Sequence, residues 1–240
     1  MKHHNDVSRR HFLIFTAGAV AAPSLLFGEN GVPSLLDHIL LGSRDLQQGI
    51  DFVEQHTGVR AAFGGVHPGR GTQNALLSLG ERRYLEIIAP DPAQPDVKNL
   101  LAPELRNLKE PRLVGWAAHP GSLAAFAEKL RHAGITFEGP TPGSRKRPDG
   151  RLLQWQTLGL ADDASRLLPF FIEWAPDSVH PSADAPIGCS VTRFSAEAPD
   201  PAKLATTLKL LNLDLHVGKG EKPRLLTSIV GPKGALELSS

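Results

Sequence analysis

Cysteine is almost missing from this 240-residue chain, in which Cys189 stands alone. That excludes an intramolecular disulfide and any cysteine-built zinc site, and leaves Cys189 as a small hydrophobe of the interior. A surplus of one charge is missing as well. With 26 basic against 25 acidic residues, nothing in the net charge draws the chain to nucleic acid or to an anionic membrane, and neither is expected as a partner. Long apolar runs are also lacking. The weakly apolar stretch from Ile14 to Ala22 falls short of the roughly 20 residues that span a bilayer. What is present is 41% hydrophobic residues, enough to bury a sizeable core in one large domain or two small ones.

The first thirty residues read as an address. Ser8-Arg9-Arg10-His11-Phe12-Leu13 resembles the twin-arginine export signal, and Ala19-Val20-Ala21 offers a small-residue cleavage site. The resemblance implies a periplasmic protein exported already folded, often with its cofactor loaded. The competing reading is a basic tail before an ordinary helix. Residues 1–30 are set aside from the fold.

Three later stretches end alike, in Tyr84-Leu85-Glu86-Ile87-Ile88-Ala89-Pro90, Phe171-Ile172-Glu173-Trp174-Ala175-Pro176 and, more weakly, Ala235-Leu236-Glu237-Leu238. Each sets a glutamate inside an apolar strand, where a carboxylate costs several kcal/mol unless it is paired. Leu36-Asp37-His38-Ile39-Leu40 sets a histidine in a similar strand. Between them the order strand, helix, strands recurs. Helices are predicted from Asp45 to Gly58, from Leu123 to Ala133 before Gly134, and from Pro201 to Leu211. A short helix is expected between Val97 and Lys109. Turn residues at Gly80-Glu81-Arg82 and Pro148-Asp149-Gly150 mark hairpins. From His38, Gly115 and Arg193 to the helix-ending Gly58, Gly134 and Asn212 the steps are 20, 19 and 19 residues. Constant helices with variable loops indicate duplication. The expected class is α+β: a βαβββ module over residues 34–111, a second over 112–180, and a third, partial one over 190–240.

Such modules, with histidine in the first strand and glutamate in the last, resemble the vicinal oxygen chelate superfamily, and within it the glyoxalase-like branch. The stretches carrying the resemblance are those around His38, Glu86 and Glu173, together with Gly65-Val66-His67-Pro68-Gly69-Arg70-Gly71-Thr72-Gln73-Asn74 and Ser144-Arg145-Lys146-Arg147. The resemblance implies two modules curved around a cavity and a divalent metal held by His38, Glu86 and Glu173. Gly115, or Trp116 one residue on, stands where many members place a second histidine. His119 shares that strand face but would lie roughly 13 Å along it. One histidine and two carboxylates favour Mg, Mn, Fe or Zn. Such an ion would take two adjacent substrate oxygens, with Glu86 or Glu173 moving the proton.

His67, Asn74, Arg145 and Arg147 are expected to contact substrate, the first two from a glycine-rich loop over the cavity mouth and the arginines by gripping a carboxylate. Each has a plainer reading: a satisfied core histidine at His38, strand ion pairs at Glu86 and Glu173, a glycine connector, a solvated basic hairpin. Glu237 lacks a histidine in its own module and is expected to pair with Arg193. The functional expectation is a metal-dependent lyase, isomerase or ring-opening oxygenase. The alternative is a non-catalytic protein that sequesters a small molecule in the same cavity. An unpaired third module would leave an edge to cover, which leaves a homodimer open.

Overall fold

The computed structural model describes Met1 and residues 31–97, 101–161 and 166–240. The export-signal motif and cleavage site lie outside the described residues. Among the described residues, no helix is long and apolar enough to cross a membrane.

The first module runs β1 (Leu36–Gly42), α1 (Leu46–Thr57), β2 (Ala62–His67), β3 (Thr72–Ser78) and β4 (Tyr84–Pro90). Strand β1 is buried along its whole length. It lies mid-sheet, parallel to β4 on one side, and its near-continuous apolar sequence is what two covered faces require. Helix α1 starts where the Asp45 side chain accepts from Gln48 N–H. It stops at Gly58, whose left-handed φ of 81° suits a residue without Cβ. The glycine-rich segment expected to be a mouth loop is in part strand β2, hydrogen-bonded to β3.

A short helix, α2 (Leu101–Arg106), leads to the second module: β5 (Arg112–Ala118), α3 (Leu123–His132), β6 (Phe137–Lys146), β7 (Leu152–Leu160) and β8 (Phe170–Trp174). The two modules share one eight-stranded sheet in the order β2-β3-β4-β1-β5-β8-β7-β6. Strands β1 and β5 join them antiparallel, and β8 lies parallel to β5 as β4 does to β1. The pairings His38–Ala117 and Leu40–Gly115 flank Ile39–Trp116, so a local two-fold relates His38 to Gly115 and Leu40 to Ala117. The sheet curls until its outer strands meet, where Arg145 of β6 donates to Gly64 O of β2.

The third module is whole rather than partial: β9 (Ser190–Ala198), α4 (Pro201–Leu210), β10 (His216–Lys219), β11 (Arg224–Gly231) and β12 (Gly234–Ser239). Its element order is βαβββ, but its sheet runs β10-β9-β11-β12. The first strand here neighbours the strand after the helix, not the last strand. Arg193 and Glu237 both pair in register with Ser228, and their expected ion pair forms across β11 at 2.6 Å. This module continues the main core, with Phe194 set edge-on against Trp116 at 5.3 Å.

Candidate functional site

Alternation along the strands sorts their side chains. Leu85 and Ile87 of β4 enter the main core, while Tyr84, Glu86 and Ile88 line a cavity of about 310 Å³ on the other face of the sheet. His38 and Leu40 of β1 line it too, as do His67, Asn74 and Arg145. Phe170, Ile172 and Trp174 of β8 form part of the opposite wall, with Trp155 of β7 beside them.

The polar centre is Glu86, only 7% exposed. Its Oε1 accepts from Asn74 Nδ2 at 2.8 Å and lies 3.7 Å from His67 Nε2. Its Oε2 lies 3.4 Å from His38 Nε2. Burial pushes this carboxyl's pKa up, but His38, His67, the Asn74 hydrogen bond and Arg145 outweigh burial and bring it below the usual range. Glu86 is therefore ionised at neutral pH. His67 shifts the same way for another reason: burial lowers its pKa against the pull of Glu86 and keeps the ring neutral. Its Nδ1 sits 2.9 Å from Thr72 Oγ1, which leaves Nε2 facing the carboxylate.

His38 is fixed from behind. Strand β1 slips register against β5 between Leu36 and His38, and this bulge brings the wholly buried Asp37 beside the ring of its neighbour. Asp37 Oδ1 is 2.7 Å from His38 Nδ1, and Oδ2 receives Trp174 Nε1–H at 3.1 Å. His180 Nε2 lies 3.2 Å from the same oxygen. Ser182 N–H occupies His180 Nδ1, so the His180 proton points at Asp37. Burial would raise the Asp37 pKa, yet the hydrogen bonds from His180 and His38 dominate and hold it well below the carboxylate range. An ionised Asp37 accepts from His38 Nδ1–H and so turns Nε2 toward the cavity and Glu86.

The structure does not bring Glu173 to this centre. Its Oε2 accepts from Leu123 N–H at 2.7 Å, satisfying an orphan donor at the positive end of α3. The reason is register. Leu40 faces Glu86, and Ala117, its two-fold counterpart, faces Phe170. Phe170 thus occupies the glutamate's place, and Glu173, three residues on, points to the other side. Arg147 is also elsewhere, paired with Asp184. Gly115 is open, since a Cβ there would meet nothing within 4 Å, but it carries no donor. His119 is not a substitute ligand either: its Nδ1 lies 3.9 Å from Asp37 Oδ2 and, among the described residues, has no hydrogen-bond partner.

Among the described residues, no group of three or more His, Cys, Asp or Glu side chains is spaced to hold a metal ion. The expected three-residue set therefore does not form. The pair His38 and Glu86 does fit a divalent ion. Two donors about 2.1 Å from one ion at a near-tetrahedral angle stand about 3.4 Å apart, which is their separation. Asp37 stands where an outer carboxylate would orient His38 as a ligand.

Sequence reasoning missed Asp37, Tyr84, Trp174 and His180. Tyr84 stacks on His38 with ring centroids 4.5 Å apart. Burial, with Glu86 and Asp37 adding to it, raises its hydroxyl pKa well above the ordinary value. Asp37 carried a readable signal, because it is an acid in a buried strand just as Glu86 is. His180, in a Pro- and Ser-rich connection, carried none.

The sequence matches the glyoxalase-like domain family over residues 36–211. No curated protein matches it. Among solved structures, a hypothetical protein from Staphylococcus aureus is similar at 17% identity with a TM-score of 0.58, covering 85% of this chain and 84% of that one. Methylmalonyl-CoA epimerase from Mycobacterium tuberculosis aligns at 22% identity and a TM-score of 0.46, over 61% of this chain and 91% of its own. The first of these likenesses supports the fold of paired βαβββ modules, and the family match covers both modules of the curled sheet. The chain belongs to the glyoxalase-like domain family.

Proposed function

We propose that the chain is a small-molecule enzyme working at Glu86, on a substrate that presents two adjacent oxygens to the cavity. The observation that carries this reading is an ionised, buried glutamate 3.4 Å from a histidine nitrogen whose other nitrogen is locked by an aspartate. Proton-transfer groups are built this way, with a perturbed carboxylate and its charge partners converging on a cavity. His38 and Glu86 are the residues that would hold a divalent ion of the Mg, Mn, Fe or Zn group. Bound there, it would act as a Lewis acid toward the substrate oxygens.

The protein's own part follows from its geometry. Asn74 Nδ2–H holds Glu86 Oε1 in place, so the carboxylate is aimed before substrate arrives. Glu86 takes a proton from the carbon beside the substrate oxygens. The neutral His67, 3.7 Å from Oε1, is the next acceptor in line. Trp155, Ile172 and Trp174 exclude water from the far wall. These roles serve a lyase or isomerase directly.

A second reading, a metal-free binding protein, is favoured by one observation: β8 presents only Phe170, Ile172 and Trp174 to the cavity. Elemental analysis of purified protein separates the two. Wild type and Glu173→Ala should carry a divalent metal, and His38→Ala and Glu86→Ala should lose it. Equal content in all four would sink the enzyme reading as stated. We further propose that the chain acts in the periplasm, exported through its twin-arginine motif, with a small molecule as its partner. Replacing Arg9 and Arg10 by lysine should then leave it in the cytoplasmic fraction.

A further inference from the structure

Arg145 is 3% exposed. A buried guanidinium ordinarily has a carboxylate against it, because leaving water costs an unpaired charge several kcal/mol. This one does not. Among the described residues its single hydrogen bond goes to the carbonyl of Gly64, and no carboxylate oxygen lies within 4 Å. Burial accordingly lowers its pKa, against the more distant pull of Glu86. The residue borders the cavity.

The chain is shaped to let the side chain reach that place. A Cβ at Gly64 would come within 2.4 Å of Asn74 Oδ1 and 3.0 Å of Arg145 Nη1, and one at Gly65 within 2.9 Å of Lys146 O and 3.0 Å of Arg145 Cδ. The two glycines are the bed on which the guanidinium crosses β2. Arg70, an exposed residue, also borders the cavity, whose acidic lining side chain is Glu86. The cavity thus has a cationic end. Its other wall is aromatic: Trp155 and Trp174 lie with ring centroids 5.6 Å apart, and Phe170 adjoins them.

We infer that Arg145 is the recognition group for a substrate carboxylate, and that the ligand class is a small organic acid with an aromatic or apolar body and a second oxygen next to its acid group. The inference rests on the reading of this cavity as the substrate site. The acid pairs with the guanidinium, the body lies against the two tryptophans, and the neighbouring oxygen is left toward Glu86 and His38. Arginine suits the role because its planar fork can keep the bond to Gly64 and still offer two parallel donors to a carboxylate. The cavity volume of about 310 Å³ admits one such molecule.

Benzoylformate and its methyl ester are the probes, sharing ring and ketone and differing in charge. Titration calorimetry on the purified full chain should find the acid bound at least about tenfold more tightly than the ester, the ratio expected of a charge-assisted pair. Arg145→Gln should bring that ratio to about one without weakening the ester, and Arg145→Lys should leave it in between. Equal affinities in wild type, no binding of either probe, or a ratio that survives Arg145→Gln overturns the assignment. Should Arg145→Gln fail to fold, a wild-type crystal with benzoylformate decides: a carboxylate beyond about 4 Å from the guanidinium sinks it. Metal content of the same preparations keeps the two readings apart. Metal retained with no preference for the acid removes only this recognition role. A clear preference without metal removes only the metal-dependent chemistry.

Discussion

Strands β4 and β8 are two-fold partners facing one cavity, and they carry opposite chemistry. Strand β4 presents Tyr84, Glu86 and Ile88; β8 presents Phe170, Ile172 and Trp174. Where the first half has an ionised carboxylate the second has a phenyl ring, and where β1 has His38, β5 has Gly115. The duplicated backbone shaped one cavity but divided the work of these paired strands, with the carboxylate on β4 and a wholly apolar face on β8. A carboxylate opposite Glu86 would need its own counter-charge, whereas an apolar wall lowers the local dielectric and strengthens each interaction on the polar side.

The most direct way to break that contrast is to remove the support beneath the polar half. Asp37→Ala leaves the protons of His38, His180 and Trp174 without their acceptor, and should destabilise the protein by about 3–5 kcal/mol in urea unfolding. A loss below about 1 kcal/mol would mean that the network is not a buried ionic one. The same residue governs the acid limb. Asp37 and Glu86 both have pKa values lowered by folding. Their contribution is complete above the unfolded carboxylate range of about 4, and is lost as pH falls through the folded values. Asp37→Asn should therefore flatten the decline in stability below about pH 4, as measured by thermal melts at stepped pH.

Trp174 belongs to both halves, since its ring is wall and its N–H supports Asp37. Trp174→Phe keeps an aromatic ring and drops a hydrogen bond to a charged group, for an expected loss of about 1.5–3 kcal/mol. On the apolar side, Glu173→Ala should cost about 1 kcal/mol by leaving the Leu123 N–H at the start of α3 without its acceptor, with ligand affinity in calorimetry unchanged. Any fall in affinity there would restore Glu173 to the site. The smallest effect belongs to the third module. Glu237→Ala breaks the ion pair with Arg193 at a largely exposed carboxylate, and the melting midpoint should report less than about 1 kcal/mol.

How much was legible follows from the kind of signal each residue carries. Helices α1, α3 and α4 declared themselves through caps and spacing, because Asp45, Ser122 and Asp200 satisfy their helix starts locally. The pairing of two modules was legible for the same reason, since repetition is a one-dimensional property. Glu173 looked like Glu86 because both sit in Phe/Tyr-rich strands before Ala-Pro. The face of a strand, however, depends on register with its neighbour, and three residues of offset reversed it. Strand β2 was hidden by its glycines, which serve the close approach of Asn74, Leu76 and the β6 edge at Arg145 and Lys146 rather than a loop. The third module's strand order was not visible at all, because order in a sheet is set by tertiary pairing.

His180 lies six residues past the last strand of the eight-stranded sheet, in the segment that leads to the third module. Ser78 holds that segment through Ser182 O and Pro186 O. The duplicated pair is therefore not a self-sufficient unit. A fragment ending at Trp174 would possess each strand of the cavity and still leave Asp37 without one of its three donors. Insertions between residues 176 and 186, in what reads as a spacer, would loosen the orientation of a histidine some 140 positions earlier in the chain.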